Sequence, residues 1–452
     1  MEAVRRFRKI VCTKYGLMLI NFAIITIIAI VIFRNFFLTS EWPGGGDTLG
    51  AISGEYIFGK DLRWLYVWRP QSFGCVEPIN LMDSFLMLIY SVCLDGALTI
   101  KIFMFFSFLM AGFSMYAFAH HYTRNHIAAL SASLVYTLNQ WFFSQFTEGH
   151  TFITFSYALA PLLFLLLDRA LETRKSRDIL ALALIFTIFL SGFHPECAFI
   201  YGVFLLVFAI SYLLQRTNPI NFRTRLKHLL KVSLPVGIIS FLIAAPMILP
   251  LMSNVAPPYY SPQSKCYIEE TFSGSYKNIT DAFSLRAIEQ WGYIFKVDIT
   301  RSLGLSGFPT QAFLLCLFFL AYCTILFRRD RYTFFFAFSA LISMIISMGP
   351  YSPFGNVFVW AWFNVPYFWV FRATSRWIMM AAFSHSFFVS VLVSMIANYV
   401  QKKRHVMVDG NFRIHKTISK ELRNYLAPLF NLYKNLHKFL YYLGIIALAL
   451  IL

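Results

Sequence analysis

Charge is what this 452-residue chain has least of. Only 13% of its residues are Asp, Glu, Lys or Arg, and just 21 are acids. Soluble domains carry roughly 25% charged residues. That shortage, with 58% hydrophobic residues and a mean hydropathy of +0.62, excludes an ordinary water-soluble fold. The seven cysteines show no metal-ligand spacing, which excludes a zinc-ribbon type of module. Cys12, Cys93, Cys316 and Cys323 sit in or near apolar runs and read as small core residues. No internal repeat, low-complexity tract or soluble domain is evident. No small-residue cleavage site follows the first apolar run, 17–37, so it reads as a retained anchor rather than a signal peptide.

What the chain does have is a succession of apolar runs. A helix needs about 20 apolar residues to cross the hydrocarbon core. Runs near 17–37, 98–119, 127–146, 152–168, 179–195, 197–214, 230–252, 309–327, 332–348, 377–399 and 439–452 give about eleven spans. The fold class expected is all-α, a polytopic transmembrane helical bundle. The last run is short for a span, so the sequence is expected to continue past Leu452 or to end in a half-inserted helix.

The charges divide by side. With Met1 in the cytoplasm, the inner segments hold 27 Lys/Arg against 7 acids, a net +20, while 12 Lys/Arg and 14 acids outside give −2. This is the positive-inside bias, and it sets the N-terminus in the cytoplasm of an integral plasma-membrane protein. The total of +18 would suggest nucleic acid in a soluble chain. Here the excess is juxtamembrane, so membrane lipids are the expected partner and nucleic acid is not.

Residues 1–399 form the expected transmembrane domain, with two large outer loops at 38–97 and 253–308. The first loop is expected to be structured and to bear interfacial helices. Its apolar end, 81–95, reads as an amphipathic helix lying on the outer interface, with a re-entrant hairpin as the rival. Gly192-Phe-His-Pro-Glu196 splits 179–214 into two short spans at an outer turn that Pro195 helps force. Such interrupted spans often line a polar cavity. Asn278-Ile-Thr280 is a glycosylation sequon in the second loop. Cys75 and Cys266 both fall outside, so a disulfide between them is allowed but unforced. The aromatic stretch 349–376 suits the outer interface. The basic segment 400–438 reads as an amphipathic surface element on the cytoplasmic leaflet, followed by the start of a further span at 439–452.

This topology sends Asp47, Glu148, His150, His194, Glu196, Arg372 and Arg376 outward. Asp47 follows three glycines, which allow a sharp turn and close approach to a ligand. Its carboxylate can take a proton from a hydroxyl, hold a divalent cation, or simply close a turn on local backbone. Glu148/His150 and His194/Glu196 each place a carboxylate two residues from an imidazole. They can supply metal ligands or a base with its orienting partner, or serve as helix caps. The metal candidates are Asp47, His150, His194 and Glu196, with Mg2+ or Mn2+ as the possible cation. Arg372 and Arg376 are four apart and share a face if their segment is helical. Paired guanidiniums suit a phosphate or pyrophosphate, though headgroups or a salt bridge would also use them. Glu55 and Glu77 are further carboxylates of the first loop, and Lys60, Asp61, Arg63 and Arg69 stand among Trp64, Tyr66 and Trp68 without an assigned role.

A basic leader and first span, an outer loop with Gly-Gly-Asp47, Tyr136-Thr-Leu-Asn139, Glu148-Gly-His150, Ala160-Pro161 and Phe371-Arg372…Arg376 together resemble the GT-C superfamily of polytopic membrane glycosyltransferases. The nearest likeness is to YfhO-like and arabinofuranosyltransferase-like members, including uncharacterised archaeal proteins, and it spans most of 1–399. The resemblance implies a polyprenyl-phosphate-linked sugar donor, a glycan, lipid or protein acceptor, and an extracytoplasmic active site. It implies that Asp47 is the catalytic base. Many such enzymes carry two adjacent acids there, whereas Gly46 and Thr48 flank Asp47. On this reading Glu148, His150, His194 and Glu196 bind the sugar or a cation, and Arg372 and Arg376 the lipid phosphate. A transporter or flippase for lipid-linked glycans, or a non-catalytic membrane scaffold, would use the same outer groups without chemistry.

Overall fold

The computed structural model describes residues 16–39, 68–69, 75–76, 81–192, 195–215, 221–253, 275–286, 308–328, 330–365, 368–371 and 373–408. The chain is an integral membrane protein built as an all-α bundle. Among the described residues the only strands are a two-residue antiparallel pair, Trp68–Arg69 with Cys75–Val76. The helices are α1 (Gly16–Leu38), α2 (Leu81–Cys93), α3 (Gly96–Thr123), α4 (His126–Thr137), α5 (Gln140–Glu148), α6 (Thr151–Thr173), α7 (Ser176–Gly192), α8 (Pro195–Leu214), α9 (Phe222–Ser253), α10 (Ile279–Phe283), α11 (Phe308–Tyr322), α12 (Arg331–Ser347), α13 (Gly355–Asn364) and α14 (Ile378–Val408). The chain divides into two compact units, 1–394 and 395–452, and the second is described only as the last turns of α14.

Among the described residues, six stretches are helical, long and apolar enough to cross a membrane: Gly16–Leu38, Gly96–Thr123, Thr151–Thr173, Glu196–Leu214, Phe222–Ala245 and Thr374–Val400. Other runs read as spans give shorter helices. The run 127–146 is not one helix. It breaks at Leu138, and Asn139 caps α5 by accepting from Phe142 N. A hydropathy window sees a continuous apolar stretch there, but the Asn side chain competes for backbone donors and starts a new helix. The split at 192–195 between α7 and α8 falls where Pro195 was expected to force it. Residues 81–93 do form a helix, with Leu86 buried and Leu88 and Val92 exposed.

Two helices sit at the centre. In α6 and in the Thr374–Val400 stretch, 83% of the apolar window is buried inside the protein. α1 and α9 instead expose apolar faces (Ile27, Ile30; Leu234, Ile238, Phe241, Leu242), as lipid-facing helices do. Small residues set the close contacts. A Cβ on Gly112 of α3 would lie 2.7 Å from Ile25 Cγ2 of α1, and Ser133 of α4 donates to Gly112 O at 2.8 Å.

The motif residues around Tyr136 and Pro161 form one polar knot. Pro161 has no N–H, so the carbonyl of Tyr157 loses its helical partner. Tyr136 Oη donates to that carbonyl at 2.7 Å. The helix break after Tyr136 exposes its own carbonyl, which accepts from Tyr157 Oη at 2.8 Å and from Asn139 Nδ2 at 2.7 Å. The two rings stack with centroids 4.0 Å apart. Two orphaned carbonyls thus satisfy each other's residues inside an apolar bundle, where an unpaired one would be expensive.

Candidate functional site at the His150 end of the bundle

Asn139 fixes the start of α5, and α5 carries Glu148 on its last turn. Gly149, at φ +80°, ends the helix in a left-handed cap, a conformation that only glycine adopts freely. The chain then turns at once into α6, which brings His150 back over α5. Gln145 Nε2 donates to Glu148 Oε2 at 3.4 Å. His150 Nδ1 lies 2.9 Å from Gln145 Oε1 and 3.1 Å from Glu148 Oε2, so the tautomer with its proton on Nδ1 satisfies both acceptors. All three residues are buried, at 9% exposure or less. Glu148 and His150 therefore form the carboxylate–imidazole pair that their spacing suggested.

Glu196 is the second residue of α8, where a carboxylate is favoured by the exposed helix N–H groups. Its Oε2 accepts from Arg376 Nη1 at 2.7 Å, and both side chains are buried. Arg376 lies in a 3-10 turn, Thr374–Trp377, and the preceding turn ends at Phe371. Arg372, with which Arg376 was expected to share a face if the segment were helical, lies outside the described residues. Arg376 makes a salt bridge, one of the readings its sequence allowed. Asp47, His194 and Arg372 lie outside the described residues, as do Glu55, Glu77 and Cys266.

Segment 275–286 ties the two buried pairs to one end of the bundle, a role that no motif within it announces. Ser275 hydrogen-bonds Thr374, two residues before Arg376, at 2.6 Å. Tyr276 N donates to Ser347 O at 3.1 Å, and Trp141 N of α5 donates to Leu285 O at 3.1 Å. Tyr276 is 2% exposed, and its hydroxyl donates to Arg286 O at 2.7 Å. Burial pushes that phenol well above its usual range, and the charges of Asp281 and Glu148 push it further. Glu148 therefore stands within electrostatic reach of Tyr276. Asn278 of the sequon is exposed and caps α10 through Asp281 N. The buried Tyr276 could have been found in the sequence only as one aromatic among 24 tyrosines.

Of the metal candidates named from the sequence, His150 and Glu196 lie among the described residues and Asp47 and His194 do not. His150 has Glu148 beside it, and Glu196 has Arg376. Among the described residues, a group of three donors that can hold a metal ion lies elsewhere: His121 of α3 with Asp168 and Glu172 of α6, all three donor atoms within 4.8 Å of one another. It sits at the other end of the bundle, where Asp168 also pairs with Arg331 of α12. No spacing rule finds it, because His121 and Asp168 are 47 residues apart and only the packing of α3 on α6 joins them.

Residues 85–256 match the model of a family described as 6-pyruvoyl-tetrahydropterin synthase related domain, membrane protein. That stretch includes His121, Glu148, His150, Asp168, Glu172 and Glu196, while Arg331 and Arg376 fall beyond it. It covers less than half of the chain. No curated protein matches.

Proposed function

We propose that this protein is a GT-C-like membrane glycosyltransferase of about eleven spans that moves a sugar from a polyprenyl-phosphate donor to an acceptor hydroxyl outside the cytoplasm. The observation that carries this reading is the buried Glu148–His150 pair, held by Gln145, on the same bundle end as the buried Glu196–Arg376 ion pair. A lipid-facing wall does not require buried acids and bases, and ionisable groups near a span are costly enough to indicate a site. In this reading the N-terminus is cytoplasmic and the site is extracytoplasmic, as the charge bias of the loops favours.

Asp47 takes the proton of the acceptor hydroxyl as that oxygen attacks the anomeric carbon. The bond from that carbon to the donor phosphate breaks, and Arg372 neutralises the departing lipid phosphate, where negative charge grows. Arg376, held by Glu196, borders the same site. Glu148, His150 and His194 bind the sugar or a divalent cation such as Mg2+ or Mn2+. A positioned base contributes about 10²–10⁴-fold. Asp47→Ala should therefore abolish transfer while the protein still inserts in the membrane. Mass spectrometry of lipid-linked sugars and surface glycans after gene deletion tests the whole reading: accumulated donor with a missing glycan residue supports it, and an unchanged profile overturns it.

A further inference from the structure

The end of the bundle opposite His150 carries a built set of donors that the transferase reading does not use. We propose that His121 Nε2, Asp168 Oδ2 and a carboxylate oxygen of Glu172 bind one borderline divalent transition-metal ion of the zinc class, which staples the last turns of α3 and α6. Asp168 and Glu172 are four apart on α6 and so share a face. His121 reaches that face from α3, its Nε2 3.2 Å from Asp168 Oδ2. A tetrahedral ion with ligands at about 2.0–2.1 Å sets neighbouring donors roughly 3.3 Å apart, so this edge already has the required length. Glu172 is exposed and can swing in to close the third position.

The arrangement behind the donors is that of a metal site's supporting layer. The two oxygens of Asp168 are divided: Oδ1 accepts from Arg331, and Oδ2 faces His121. Arg331 is itself fixed, donating to Tyr332 Oη at 2.6 Å and to Gln215 Oε1 at 3.4 Å, with its guanidinium 4.6 Å from the Tyr332 ring centroid and 5.3 Å from that of Tyr212. A carboxylate oriented in this way presents a preset oxygen to an ion. Two carboxylates, one guanidinium and an imidazole in the neutral form a ligand needs leave one net negative charge, which a dication offsets. Asp168 is buried while Glu172 faces solvent, so the ion has an entry path. One imidazole nitrogen with two carboxylate oxygens suits zinc-like ions better than the all-oxygen shell that magnesium prefers.

The test uses the full chain in detergent, free of any histidine tag, titrated with Co2+ and then with Zn2+. The expected result is one Co2+ per chain with ligand-field absorption that Zn2+ displaces. His121→Gln and Glu172→Gln should each weaken binding at least about tenfold. His126→Gln, in the neighbouring turn and hydrogen-bonded to Tyr116 instead, should leave it unchanged. If His121→Gln does not fold, the exposed Glu172→Gln carries the comparison. A folded chain that binds no stoichiometric Co2+, equal affinity in all variants, or loss of binding in His126→Gln alone would overturn the proposal.

Discussion

Removing one partner of the Glu196–Arg376 pair should be among the most damaging single changes available in this protein. The glutamate side chain is fully buried, the arginine side chain is 10% exposed, and their N···O distance is 2.7 Å. At an effective dielectric of about 20 the gross attraction at that distance is about 6 kcal/mol. Most of it is offset by the water both groups gave up, so the pair itself adds little net stability. Removing one charge is different, because the desolvation of the other remains while this attraction is gone. Glu196→Gln and Arg376→Met should each cost about 3–5 kcal/mol. Folded proteins hold only about 5–15 kcal/mol in all, so either change should be plain in any stability assay. The double variant removes both charges of the pair, and its loss should fall short of the summed single losses by about 1–3 kcal/mol, beyond the usual range of additivity. Reversible unfolding in mixed detergent–SDS micelles, followed by tryptophan fluorescence, measures all four corners of the cycle. Single losses below about 1 kcal/mol, or strictly additive ones, would refute the claim that the two charges hold each other inside the bundle.

Three further outcomes are expected from the same assay. Asn139→Ala removes the cap of α5 and two donations from its amide, to Tyr136 O and Tyr157 Oη, and should cost about 2 kcal/mol; a neutral result would deny the polar knot its role. Gly112→Ala drives a methyl group into Ile25 of α1 and should cost about 1–3 kcal/mol, while a stabilised variant would mean that α1 does not pack as described. Asp178 is held below the usual carboxylate range chiefly by its hydrogen bond from Thr173, with smaller help from Arg169, Arg177 and Lys175. The sign follows from linkage: a depressed folded value stabilises the protein above the unfolded value of about 4 and is lost as pH falls through the folded one. Wild type should therefore exceed Thr173→Val in stability at pH 7, and the gap should close as the pH falls below about 4. A gap that is constant with pH would show that Asp178 does not titrate through that bond.

Composition alone sets the solvent this chain folds in. Hydropathy is a local, additive property, so the apolar runs and the helical class were legible without coordinates, and Pro195 marked where α8 begins. Legible too was a pairing of Glu148 with His150, which stand two residues apart on either side of a glycine turn. The break at Leu138–Asn139 was hidden inside an unbroken apolar run, since one capping side chain outweighs the surrounding hydropathy. Only the tertiary structure paired Glu196 with Arg376 across 180 residues, set Tyr276 near Glu148, and brought His121 to Asp168. Lipid accepts any apolar helix face about equally well. Which faces meet is decided by where small residues allow close approach and where buried polar groups must find partners, and neither condition can be read from one helix alone.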